Sequence, residues 1–256
     1  MARIATWNVN SVKARLPLVL DWLAAARPDI VLLQEIKCVD AEFPRLEFES
    51  AGWRVATVGQ KTYNGVAILA RAAIEVTARA LPGDAADPQA RYLEARVEGL
   101  RVASIYLPNG NPVDTDKVAY KLAWMARLDA HAAALLETGE PLVLGGDWNV
   151  IPAPLAAHDW PAWTGDALAR PESRAALRRI TWRGFTDAVR ALDPGPDLYS
   201  FWDYQNAAWQ RNDGIRIDHL LLSPEAADRL VSAGIDRGPR GRERASDHTP
   251  AWCELA

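Results

Sequence analysis

Arg3-Ile4-Ala5-Thr6-Trp7-Asn8, an amphipathic stretch from Leu16 to Ala26, and Ile30-Val31-Leu32-Leu33-Gln34-Glu35 follow one another at the start of the chain. The outer two segments are short apolar runs of strand type, and the middle one spaces its apolar residues like a helix. Each strand-like run stops at a polar residue, Asn8 or Glu35. The same grammar recurs downstream. Strand-like runs lie at Trp53 to Val58, Val66 to Ala70, Tyr92 to Val97, Val102 to Leu107, Leu142 to Leu144, Arg216 to Leu222 and Ala251 to Glu254. Helical patterns lie at Thr115 to Glu137 and Glu172 to Thr181. Hairpin-like and helix-linked connections are mixed, which fits sheets packed together under helices better than one purely parallel sheet. The pattern predicts a layered α/β sandwich.

The 256 residues suffice for a sizeable core, and no stretch is poor enough in apolar residues to require disorder. Pro- and Gly-rich pieces such as Leu81 to Pro88 and Pro152 to Pro161 are short punctuation, so one domain spanning 1–256 is expected. No apolar run approaches the roughly 20 residues of a membrane span. Met1 to Trp7 runs straight into a strand pattern, which leaves no signal peptide and predicts a cytoplasmic protein. Cys38 and Cys253, without metal-binding spacing, read as reduced structural thiols. A net charge of −4 argues against coating nucleic acid by charge alone. A local basic surface would be needed, and Arg237, Arg240, Arg242 and Arg244, or Arg170, Arg174, Arg178, Arg179 and Arg183, are candidates.

Several apolar strands end in groups suited to a cation or a phosphate. Asn8 and Glu35 are two such endings, and Leu142-Val143-Leu144-Gly145-Gly146 leads into Asp147 and Asn149. Strand ends form the rim where α/β proteins build sites. Glu35 offers a hard oxygen ligand, and Asn8 either a carbonyl or a group to orient a metal-bound water, a donor set that magnesium favours. The glycine pair reads as a tight turn beside a ligand; the structural alternative for Asp147 and Asn149 is an Asx turn. Near the C-terminal end, Ser246-Asp247-His248 needs a partner for its imidazole, and Asp218 would fix the tautomer and raise the pKa. Ser246 suggests a serine hydrolase, but no Gly-x-Ser-x-Gly elbow is present.

Taken in order, Trp7-Asn8-Val9-Asn10, Leu33-Gln34-Glu35-Ile36-Lys37, Tyr106-Leu107-Pro108-Asn109-Gly110, Gly146-Asp147-Trp148-Asn149, Arg216-Ile217-Asp218 and Ser246-Asp247-His248 resemble the exonuclease III and abasic-endonuclease family across the whole chain. The resemblance implies a DNase I-like four-layer αββα sandwich, two packed mixed β-sheets flanked by helices. It also implies hydrolysis of DNA phosphodiesters at abasic sites and from 3′ ends, with 3′ phosphatase activity beside them. Magnesium, replaceable by manganese, would be held by Glu35 with Asn8, Asp247, Asp147 and Asn149. The resemblance gives Asp147 the attacking water or the leaving oxygen, Asn149 and His248 the scissile phosphate, Asp218 the orientation of His248, and Tyr106 a supporting role.

Lys61, Tyr63, Asn64, Arg91, Asn109, Trp202 and Asn212 resemble DNA-facing loop positions of that family, so duplex DNA is the expected partner of a monomer, with no membrane. Individually these residues also read as surface charges, turn residues and a core aromatic. Phe201 and Gln205 depart from the Trp and Arg of many relatives, which leaves the balance of endonuclease and exonuclease activity open. His131, His158, His219, Cys38 and Cys253 read as structural. The alternatives are a phosphatase or phospholipase on the same scaffold and a noncatalytic DNA-binding relative.

Overall fold

The computed structural model describes Met1–Ala256. Its strands are β1 (Ala2–Asn8), β2 (Ile30–Gln34), β3 (Arg54–Val58), β4 (Val66–Ala70), β5 (Glu75–Ala78), β6 (Tyr92–Val97), β7 (Leu100–Tyr106), β8 (Leu142–Asp147), β9 (Thr186–Asp187), β10 (Asp218–Leu222), β11 (Leu230–Ile235) and β12 (Ala251–Leu255). They form two six-stranded mixed sheets, in the orders β11-β12-β1-β2-β4-β3 and β5-β6-β7-β8-β10-β9. The sheets pack face to face over Ile4, Leu32, Ile68, Leu93, Val102, Val143 and Leu220. Helix Val12–Ala26 covers the first sheet through Val19 and Leu23, and helices Asp116–Leu136 and Pro171–Thr181 cover the second through Trp124, Leu128, Leu177 and Ile180. Two buried faces per sheet explain why the central strands are apolar throughout rather than alternating.

The opening strand–helix–strand unit forms as its sequence indicates. β1 and β2 are parallel, with Thr6 opposite Leu32 and Asn8 opposite Gln34. The helix between them begins at Val12, earlier than the expected Leu16, because the Ser11 side chain accepts the Ala14 N–H at 3.4 Å and caps it. β7 and β8 repeat the arrangement through helix Asp116–Leu136, with Tyr106 opposite Asp147. This is a repeat of structure that no sequence period reveals. β10 runs antiparallel to β8 and starts at Asp218 beside Asp147; β12 runs antiparallel to β1, just after His248. Strand ends from both sheets therefore meet at one rim.

β5, β9 and β11 were not expected. All are at or next to sheet edges, and β5 and β11 are partly exposed, so neither carries the apolar run by which a central strand announces itself. The glycine pair also has a different reason from the expected turn. Gly145 and Gly146 lie inside β8. A β-carbon on Gly145 would stand 2.5 Å from Leu32 Cδ1 of the facing sheet, and one on Gly146 would stand 1.9 Å from the Ile105 carbonyl oxygen. Gly146→Ala should therefore destabilise the fold by about 3 kcal/mol, measured by denaturant unfolding; an unchanged midpoint would show that β8 can shift.

Candidate active site

Asn8, at the end of β1, reaches both neighbours across the rim. Its Nδ2 donates to Glu35 Oε1 at 2.8 Å and to Asp147 Oδ2 at 2.9 Å, while its Oδ1 accepts the Asn10 N–H at 3.0 Å. The backbone donor fixes the amide orientation, so Asn8 shows its N–H face to the carboxylates. Its carbonyl is thereby turned to the Asn10 backbone, and Asn8 bridges the two carboxylates. Glu35 follows β2 with φ of 51° and keeps its side chain 17% exposed. Lys37 Nζ lies 2.6 Å from Glu35 Oε2 and also donates to Asn10 Oδ1. Burial would raise the Glu35 pKa, but Lys37 and Asn8 outweigh it and hold the carboxyl below its ordinary value.

Behind Glu35 lies an enclosed pair of charges. His248 and Asp218 Oδ2 are 2.8 Å apart at Nδ1, and Nε2 is 3.6 Å from Asp147 Oδ2. Ser200 Oγ donates to Asp218 Oδ2 at 2.6 Å and accepts the Asp218 N–H, which fixes the carboxylate. Asp218 Oδ1 is buried without a partner. The Phe201 ring packs edge-on against His248 with centroids 4.9 Å apart. Burial alone would lower the His248 pKa, yet Asp218 and then Asp147 raise it well above the ordinary value. Burial drives the Asp147 carboxyl upward, against the pull of His248. Asp147 Oδ1 also accepts the Asn149 N–H at 2.9 Å, so the Asx turn and the site position coexist.

Asn149 spends one amide hydrogen on the Leu107 carbonyl, and its Oδ1 accepts from Asn109 Nδ2 at 3.0 Å. Tyr106, at the end of β7, stays a phenol, since burial and then the Glu35 and Asp147 charges push its pKa well above normal. Glu35, Tyr106, Asn109, Asp147, Asn149 and Asp247 share one cavity of ≈350 Å³ with His248 and Phe201. Asp147, Asp218 and His248 place one ligand atom each within 4.8 Å of one another, with His248 Nδ1 turned to Asp218 Oδ2. The oxygens that fit a hard divalent cation are those of Glu35, with Asp247 and Asp147 on the same cavity wall.

Of the expected DNA-facing residues, Lys61 and Tyr63 are exposed, and Asn64 is held by Gln60 and Gln89. Gln89 also accepts from Arg91 Nε at 2.6 Å, and the Arg91 guanidinium lies 4.7 Å from the Tyr106 ring centroid. That motif therefore converges on the site. Trp202 does not fit its expectation: its ring is fully buried against Tyr199 and Trp209, with Nε1 donating to Asn212 Oδ1. It cannot lie against a sugar. It supports the site from behind, since its backbone N–H holds the Asp247 carbonyl at 2.9 Å. Arg240 is buried against the aromatic cluster and Arg237 lies over it, while Arg237, Arg242 and Arg244 stay exposed on that segment. Sequence reasoning gave no role to Lys37, Ser200 or Lys121, whose partners become visible only in three dimensions.

The description Endonuclease/Exonuclease/phosphatase family matches residues 5–248. The chain belongs to this family. Within it, the chain is 33% identical over 265 residues to exodeoxyribonuclease III of Haemophilus influenzae, with 99% of each chain covered. It is 28% identical to the DNA repair nuclease APEX1 of Danio rerio, covering 99% of this chain and 82% of that one. A Neisseria 3′ phosphatase solved with a product DNA hairpin superposes with a TM-score of 0.97 at 38% identity, with complete coverage of both chains. An AP endonuclease of Archaeoglobus fulgidus gives 0.95 at 34%, covering 100% of this chain and 99% of that one. The two flanked mixed sheets are the DNase I-like fold of these family members.

Asp218 and then Asp147 raise the His248 pKa and so favour the cationic ring. Because the folded value exceeds the unfolded one near ~6.5, this charge stabilises the fold fully below that pH, and the contribution is lost as pH rises through the folded pKa. Asp218→Asn should lower the His248 pKa in an NMR titration of its ring protons; no change would refute the pairing. Trp202→Ala should destabilise the protein by about 3–5 kcal/mol in denaturant unfolding, as for loss of a core aromatic. A stable variant with selectively weakened DNA binding would instead restore the sugar-facing role.

Proposed function

We propose that the chain is an exonuclease III-type DNA-repair enzyme that hydrolyses phosphodiesters at abasic sites and from 3′ ends of duplex DNA, and 3′ phosphate esters in the same pocket. One observation carries this reading: Glu35, Asp147, Asn149, Tyr106 and His248, backed by Asp218, border a single small cavity at the rim of two sheets. Relatives that match essentially the whole chain are DNA-repair nucleases, which favours DNA over the inositol-phosphate and lipid substrates also found on this scaffold. We further propose one catalytic domain over 1–256, acting as a cytoplasmic monomer.

A divalent cation, magnesium by its preference for hard oxygen and manganese as a substitute, would be held by Glu35 with Asp247 and Asp147, and would supply Lewis-acid polarisation of the phosphate. The protein's own groups do the rest. His248, as a cation, attracts the phosphate and stabilises charge that grows on it, and Asp218 keeps the ring oriented. A protonated imidazole has no lone pair with which to take a proton. Asp147 is therefore favoured as the group that accepts the proton of the attacking water, and its raised pKa makes it a stronger base than an exposed aspartate. Asn149 retains an amide hydrogen for a phosphate oxygen, and Tyr106 a phenol hydrogen. Trp163, Leu168 and Phe201 narrow the cavity, which suits a sugar lacking its base better than an intact nucleotide.

With magnesium, the protein should incise a duplex carrying one abasic site, and a chelator should stop it. Asp147→Asn should lower kcat about 1,000-fold with the circular dichroism spectrum unchanged, and Glu35→Ala should remove most metal-dependent turnover. An intact protein that cleaves inositol phosphates but leaves the abasic duplex whole would overturn the DNA reading.

A further inference from the structure

Lys121 lies on helix Asp116–Leu136 and is completely buried, yet it forms no ion pair with a carboxylate. Its Nζ donates instead to three backbone carbonyls: Asn109 at 3.0 Å, Asn149 at 2.6 Å and Ala167 at 3.2 Å. Those carbonyls belong to three separate loops, and each loop supplies or adjoins a residue lining the active cavity: Asn109, Asn149 and Asp166. Burial pulls the Lys121 pKa down to about 7 against Asp166 and Asp147, and the three carbonyls match the three hydrogens of the protonated form, one to each loop.

The space around Lys121 is shaped for it. A β-carbon on Gly110, where φ is 93°, would stand 2.9 Å from Lys121 Cδ and 3.0 Å from Ala167 Cβ. The loops are also tied to each other: Asn109 Nδ2 bonds Asn149 Oδ1, Asn111 Nδ2 bonds the Asp166 carboxylate, and Asn111 Oδ1 accepts the Ala167 N–H. Burying an ammonium is costly, and an apolar chain of equal length would fill the core at lower cost. What the apolar chain could not do is hold three loops by three directed bonds.

We propose that Lys121 is a positioning residue: its ammonium clamps the three loops beneath the cavity, so that the Asn109–Asn149 amide pair keeps the orientation that receives the scissile phosphate. This role rests on the phosphodiesterase reading of the site. Lys121 does not touch substrate; it acts through Asn149.

The test combines Lys121→Met, Asn149→Ala and the double variant in magnesium-dependent incision of an abasic duplex. Lys121→Met should lower kcat about 100-fold with KM within about threefold, since the loss is one of alignment rather than of DNA contact. The double variant should be no more than about threefold slower than Asn149→Ala alone, because residues acting through one another are not additive. Independently of turnover, the side-chain amide NMR signals of Asn109 and Asn149 should shift in Lys121→Met while those of Asn8 stay. An unchanged kcat, multiplied losses in the double variant, or unmoved amide signals would overturn the clamp. If Lys121→Met does not fold, Lys121→Gln, which keeps two donors on a shorter stem, is read by the same criteria. A wild-type protein that leaves the duplex intact removes the functional reading, while the amide signals still decide whether Lys121 orients the pair.

Discussion

The close approach of the two sheets at Gly145, and of β8 to β7 at Gly146, is the constraint on which the site depends. With hydrogen in place of a β-carbon at both positions, β8 fits against Leu32 of the facing sheet and alongside the Ile105 carbonyl of its own. That contact sets the distance between the strand ends, and only at that distance can one Asn8 amide group reach Glu35 and Asp147 together. Beneath the bridge, Gln34 of one sheet donates to Ser104 of the other at 3.0 Å, and Ser104 donates to the Leu33 carbonyl. The interface is thus apolar in its body and hydrogen-bonded near the rim, where register between the sheets matters most.

The rim concentrates buried charge, and each charge has an identifiable counterweight. Asp218 is matched by His248 and held by Ser200; Glu35 is matched by Lys37; Asp147 stands between His248 and the Asn8 amide. Environment then separates the roles of chemically similar groups. Glu35, partly exposed beside an ammonium, is held as the anion, while Asp147, enclosed, is shifted toward the range where it can exchange protons at neutral pH. Two carboxylates joined by one amide come to differ because one of them sees solvent and a lysine.

Much of the architecture was legible because central strands buried on both faces leave unbroken apolar runs, as at Ile30–Gln34 and Val66–Ala70. Edge strands such as Leu230–Ile235 lack that signature. Strand-end polar residues pointed to Asn8, Glu35 and Asp147 because one rim collects the ends of parallel neighbours, and His248 joins them because antiparallel β12 starts at that rim. Atomic roles were less legible. Which face of the Asn8 amide meets the carboxylates depends on a backbone N–H two residues away, and the burial of Trp202 depends on Tyr199 and Trp209. Lys121 reads as an ordinary helix-surface lysine until the loops that surround it are in place.

The Lys37–Glu35 contact alters how a metal ion enters this protein. The carboxylate already has a resident counter-ion, so a metal arriving at Glu35 would exchange with a cation rather than fill an electrostatic void. Folding and metal loading would thereby be uncoupled, since the Glu35 charge is balanced before any ion arrives. Such a site would stand ready before its ion rather than be assembled around it.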